Sequence, residues 1–323
     1  MEAEKLVSNL KGGYVRDAYL RGLTLAERGL TNPFKFGLIG SSDSHVGGPS
    51  DSEEFFFSKV GLLDGTAELR GSIPFNRFYG TFLKVLRPNM LKEVDGKTYF
   101  SASDRLIQFA ASGLAGVWAE ENTREAIYDA LKRKETFATS GPRMKVRFFA
   151  GYDLENSKLD DLSLIQDAYR SSIPMGGTLN ISANKNPTFL VWAIADPVGA
   201  PLQRTQIIKG WLEDGEHKEK VFDIACSDGL SVDPETYRCP DNKAWVDLSN
   251  CSISADSGAR EMKVFWQDPE FKKDQGAFYY SRVLENPVCR WSTWDSVRNG
   301  QKPRSDIPAT IQERVWSSPI WFK

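Results

Sequence analysis

From about residue 142 to its end the chain repeats one pattern. MKVRFFAGY, TLNIS, TFLVWAIAD, LQRTQIIKGWLE, EKVFDIA, REMKVFW, GAFYYSRVLE and SSPIWF are short apolar or alternating segments separated by Gly, Pro, Asp and Asn turns. β-branched and aromatic side chains suit a pleated surface, and turns at such short intervals leave little room for crossover helices. Strand after strand of this kind predicts a β-sandwich over 142–323. The boundary falls near Gly141-Pro142.

The first 141 residues read as α/β. Val15, Ala18, Tyr19, Leu23 and Ala26 recur at helical spacing, and Gly29 with Asn32-Pro33 ends that helix. FKFGLIG follows as a nearly continuous apolar run, which predicts a strand covered on both faces. Residues 46–100, including GSIPFNRFYGTF, predict a long irregular excursion of the kind that carries function or an interface. DRLIQFAASG predicts a short helix capped by Asp104, and LAGVWAEE a strand. Asn122-Thr-Arg-Glu125 has the form of a capping box, and the basic tail KRK suits the C-terminal end of the helix it opens. The predicted fold class is therefore α/β followed by all-β.

Composition narrows the functional classes. With 41 Lys and Arg against 43 Asp and Glu, the formal charge is −2, which lacks the basic footprint of a nucleic-acid binder. No apolar run reaches the length of a membrane span. MEAEKLVSNLKGGYVRDAYLRGL shows no basic region leading into an apolar one. No Gly-x-Gly-x-x-Gly or Walker loop calls for a nucleotide cofactor. Cys226, Cys239, Cys251 and Cys289 lie in the last third without a Cys-x-x-Cys pair, which argues against zinc there. They are either buried thiols or one or two disulfides. Their clustering favours an oxidising, extracytoplasmic (periplasmic) location. Of the nine tryptophans, many lie in the β-region (Trp211, Trp245, Trp266, Trp291, Trp294, Trp316 and Trp321) and either pack the sandwich or line a glycan-binding face.

The apolar run ends in GLIGSSDSH. On extended backbone, Asp43 and His45 share one face, just past the C-terminal end of a predicted strand, where parallel α/β folds place their sites. A carboxylate and an imidazole so placed form a half-site for a divalent metal. The alternative is that Asp43 only orients His45. Glu120 and Glu121 offer another carboxylate or else cap the helix that follows. His217, in EDGEHKEK, reads as a solvated turn residue. A Ser-His-Asp hydrolase is not supported, because no Gly-x-Ser-x-Gly elbow occurs.

GLIGSSDSHVGGP, GLAGVWAEENTREAIYDALKRKETFATSGPRMKVRFFAGYD, IPMGGTL, LQRTQIIKGWLEDGEHKEKVFDIACSDG, AFYYSRVLENPVCRWSTWD and TIQERVWSSPIWF occur in this order. Together they resemble the DUF3604 family over nearly the whole chain. The resemblance implies a relation to the PHP (polymerase and histidinol phosphatase) metallohydrolases. These are distorted (β/α) barrels in which two or three divalent metals, Zn, Mn or Fe, hydrolyse phosphoesters. Their last metal motif is an Asp-x-His, so Asp43 and His45 would be metal ligands. Residues 1–141 would be the C-terminal portion of such a barrel, and 142–323 the β-sandwich that follows it.

The family pattern also has an early His-x-His and middle histidines, which are absent here. The chain is therefore expected to look like the C-terminal part of a longer hydrolase and to be inactive alone. In the complete protein, the metals would lower the pKa of a bound water and polarise the scissile ester. Arg143 of TSGPR and Arg124 are candidates to hold a small-molecule ester substrate, since a guanidinium grips phosphate in bidentate fashion. Each also suits a structural ion pair. A second reading is a non-catalytic binding or scaffold module that uses the sandwich.

Overall fold

The computed structural model describes residues 12–100, 109–154, 159–182 and 184–323. The helices are α1 (Val15–Glu27), α2 (Arg77–Leu86), α3 (Arg124–Arg133), α4 (Leu164–Ser171) and α5 (Trp291–Arg298). The first eight strands are β1 (Leu91–Val94), β2 (Lys97–Phe100), β3 (Leu114–Val117), β4 (Thr136–Thr139), β5 (Lys145–Gly151), β6 (Ile173–Pro174), β7 (Thr178–Leu179) and β8 (Thr188–Ile194). The last eight are β9 (Leu202–Glu213), β10 (Glu216–Cys226), β11 (Glu261–Gln267), β12 (Ala277–Glu285), β13 (Val288–Cys289), β14 (Thr310–Ile311), β15 (Arg314–Ser317) and β16 (Ile320–Phe322).

Two sheets dominate. The larger runs β10–β9–β12–β15–β4–β3, with β16 beside β12 and β7 beside β16. The smaller runs β11–β8–β5–β6. All pairs are antiparallel except β16 with β7. One core joins the sheets: Val146 and Phe148 of β5 and Phe189 and Val191 of β8 meet Ile207, Phe222, Tyr279 and Val315 of the larger sheet. The arrangement is sandwich-like.

The alternate residues of the same strands explain why these strands are apolar almost throughout. Ile208, Phe278 and Tyr280, on the outer face of the large sheet, are covered by Tyr19, Leu20 and Leu23 of α1. Phe149 and Leu190, on the outer face of the small sheet, are covered by Leu164 and Ala168 of α4. Both sheets are therefore buried on two sides where a helix lies on them, and period-two alternation fades there.

Local chemistry sets the turns and staples. β9 and β10 form a hairpin through Asp214-Gly215, both at positive φ (52° and 77°), as a two-residue turn of that twist requires. Disulfides join Cys226 to Cys239 and Cys251 to Cys289. They are consistent with an extracytoplasmic location. No helix among the described residues is long and apolar enough to cross a membrane.

Several expectations for the first part change. No closed barrel forms among the described residues. β3 and β4 pair with each other antiparallel, and β4 continues onto β15 of the large sheet. FKFGLIG forms no strand. It touches β3 through Gly40 N–H to Leu114 O (3.0 Å), while Ile39 is 59% exposed. The Tyr19 hydroxyl donates to Phe36 O and Leu38 N–H donates to Ser318 Oγ, so side chains rather than a strand ladder take up these backbone groups. The excursion 46–100 contains α2 and the β1–β2 hairpin. The helix expected from Asp104 falls mostly on 101–108, outside the described residues, and 109–113 are not helical. α3 is capped by Thr123, whose hydroxyl accepts from Ala126 N–H, one residue later than the capping-box spacing suggested.

Candidate functional site

The segment after Gly40 is shaped by a set of short side chains. Buried Asp64 accepts from the backbone N–H of Lys59 and of Val60, each at 2.9 Å, and from the Ser58 hydroxyl. These bonds fix the loop that carries Lys59. His45 N–H donates to Lys59 O at 2.7 Å, which brings the Asp-x-His stretch against that loop. The loop is anchored below by Arg70. Its Nε and Nη2 each lie 2.7 Å from the Asp295 carboxylate of α5, and its Nη1 donates to Phe57 O at 2.8 Å.

On this support, His45 Nε2 lies 3.2 Å from Asp43 Oδ1, and Lys59 Nζ donates to Asp43 Oδ2 at 2.7 Å. Both Asp43 and His45 face solvent. The Lys59 hydrogen bond, followed by that of His45, holds the Asp43 carboxyl below the usual carboxylate range. The Lys59 ammonium also lies over the Phe109 ring at 5.2 Å, which orients it from the other side.

The pair fits two positions of a metal centre. A divalent transition ion takes four to six donors, typically imidazole and carboxylate. Asp43 and His45 are donors of that kind and are placed side by side. Lys59, however, takes one carboxylate oxygen. Among the described residues, no group of three or more His, Cys, Asp or Glu side chains is placed to hold a metal. These residues alone do not make a complete centre.

The other sequence candidates make contacts of their own or face solvent. Arg143 is exposed. Its Nε lies 3.0 Å from Asp51 Oδ2, and its backbone N–H donates to Asp196 Oδ2 at 2.6 Å. Arg124 is exposed in the first turn of α3, and Glu120 and Glu121 are exposed just before it. His217 belongs to strand β10 rather than to a turn, and its Nε2 lies 2.9 Å from Thr24 Oγ1 of α1. The tryptophans pack: only Trp245 among the nine is exposed.

Two sets of residues were not anticipated. Lys59 is one, since nothing in FFFSKV links it to a residue sixteen positions earlier. The other is a group of buried carboxyls behind the TSGPR loop. Glu313 accepts from the Ser140 hydroxyl, and Glu285 N–H donates to Glu313 O at 2.9 Å. Glu285 and Glu313 are 1% and 2% exposed, and Oε1 of each lacks a hydrogen-bond partner. Burial first, then the neighbouring Glu313 and Asp196 carboxylates, pushes Glu285 up to about 9. Burial and the nearby Glu53 push Glu313 up to about 7. An acid closing the apolar run AFYYSRVLE was the available signal.

No curated protein and no solved structure matches the chain at a significant level. One family model does, described as "Protein of unknown function (DUF3604)", over residues 1–323. The chain belongs to the DUF3604 family.

Proposed function

We propose that this chain carries part of the metal centre of a divalent-metal-dependent hydrolase of the PHP type, acting on a small-molecule phosphoester. Asp43 and His45 are two of the ligands, and the others come from outside the described residues. The observation that carries this reading is the meeting of a solvent-facing carboxylate and imidazole 3.2 Å apart, on a loop held in place from below. Lys59 neutralises Asp43 until a cation takes its place. Once displaced, its ammonium remains at the rim, where it can meet an anionic ester. Arg143 and Arg124 are exposed and accessible to such a substrate.

The two histidines make a direct test. Mn²⁺ titrated into the protein should broaden the imidazole resonances of His45 and leave those of His217 sharp. Asp43→Asn should weaken the effect by about tenfold. Equal broadening of both rings, or none at His45, would defeat the proposal.

A further inference from the structure

α2 presents an apolar face that is left exposed among the described residues. Its inner side is narrow. Gly80 is buried so closely that a Cβ there would sit 3.3 Å from Thr98 of β2, and Leu83 beside it is half-buried. At 100° per residue, the opposite side is centred on Phe78 and Val85, with Phe82 and Leu86 adjoining. Phe78 is 89% and Val85 80% exposed, and Phe82 and Leu86 are exposed as well. Large aromatic side chains at the apex of a surface helix are costly in water and indicate an apolar environment in use.

The charges beside this face identify that environment. Residues 74–92 contain Arg77, Lys84, Arg87 and Lys92 and no Asp or Glu, in a chain whose overall charge is −2. Arg77 and Lys84 lie along one border of the apolar arc, and Tyr79 lies on the other. The Lys84–Glu93 (2.7 Å) and Lys92–Asp306 (3.0 Å) contacts are surface pairs, which an opposing field of anions can exchange at little cost. An apolar apex of Phe, Val and Leu bordered by cations and a tyrosine suits the boundary between acyl chains and anionic headgroups. The helix has ten residues, too few to span a bilayer.

We infer that α2 is a docking helix for an anionic lipid surface, inserting Phe78, Phe82, Val85 and Leu86 while Arg77 and Lys84 meet the headgroups. The reading is independent of the metal centre. Co-sedimentation of the full chain with phosphatidylcholine vesicles, with and without phosphatidylglycerol, tests it. Binding is expected to the anionic vesicles and to weaken as salt rises. It should fall at least about tenfold in Phe78→Ser/Phe82→Ser and several-fold in Arg77→Ser/Lys84→Ser. These side chains are exposed, so both variants should keep the wild-type circular dichroism. Val85→Glu is a second probe of the same face, and Val198→Ser, an exposed apolar change far along the chain, should bind as wild type. Absence of vesicle binding, binding indifferent to the α2 variants, or self-association through α2 without vesicle binding would each overturn the inference.

Discussion

Lys59 and His45 hold opposite oxygens of one carboxylate: Lys59 Nζ is 2.7 Å from Asp43 Oδ2, and His45 Nε2 is 3.2 Å from Oδ1. The hydrogen bond from Lys59 contributes most to the low pKa of Asp43. Lys59→Met should return Asp43 toward the ordinary carboxylate range, read by carbon-detected NMR titration. Because a cation no longer has to displace an ammonium, Mn²⁺ affinity should rise by roughly threefold to tenfold. An unchanged Asp43 titration would show that the contact does not persist in solution.

The loop below that pair depends on Arg70 and Asp295, a two-pronged contact with both partners nearly fully buried. Removing one partner strands a buried charge, which typically costs about 3–5 kcal/mol. Asp295→Asn also weakens the bond from the Ser72 hydroxyl. Denaturant unfolding should show a loss of that order for Asp295→Asn and for Arg70→Met. A loss below about 1 kcal/mol would place the contact in the class of surface pairs.

Glu285 and Glu313 set a pH dependence whose sign follows from linkage. Each keeps its proton in the fold after the unfolded chain has lost it, so their contribution to stability declines as pH rises above the usual glutamate range. The decline ends near 7 for Glu313 and near 9 for Glu285. Thermal scans should show the chain less stable at pH 9 than at pH 6. Glu313→Gln and Glu285→Gln should flatten that slope and raise stability at pH 9 by about 1–3 kcal/mol each. A steeper slope in the variants would contradict the assignment.

The disulfides close loops of different length, with sequence separations of 13 for Cys226–Cys239 and 38 for Cys251–Cys289. In the chain-entropy account the longer loop contributes more, about 4 against about 3 kcal/mol. Replacing Cys251 and Cys289 by Ala should therefore lower the denaturation midpoint more than replacing Cys226 and Cys239. Non-reducing mass spectrometry should find no free thiol; four free thiols would remove both bridges and the inference of an oxidising compartment.

The β-rich part was legible because its signals are local. TFLVWAIAD, LQRTQIIKGWLE, REMKVFW and AFYYSRVLE became β8, β9, β11 and β12, with the turn inside EDGEHKEK narrowed to Asp214-Gly215. α4 and α5 were missed: each has only eight residues, and their apolar positions, such as Leu164 and Ala168, blend into the surrounding strand pattern. FKFGLIG was read by composition alone, whereas a strand needs a ladder of backbone bonds to a neighbour, and the run bonds β3 through Gly40 N–H to Leu114 O. At the candidate site, Asp43 and His45 were visible because two residues in sequence fix their proximity. Lys59 and the Glu285–Glu313 group were not, because tertiary contacts between distant segments create them.

The central claim is that Asp43 and His45 ligate a metal. Its most direct test is elemental analysis of the genome-encoded protein, with whatever sequence flanks this chain, beside its Asp43→Asn/His45→Ala variant after identical dialysis. The account predicts bound Zn, Mn or Fe in the wild type and a several-fold lower content in the variant, with both folded by circular dichroism. A wild type without divalent metal, or a variant that retains the full content, would contradict it.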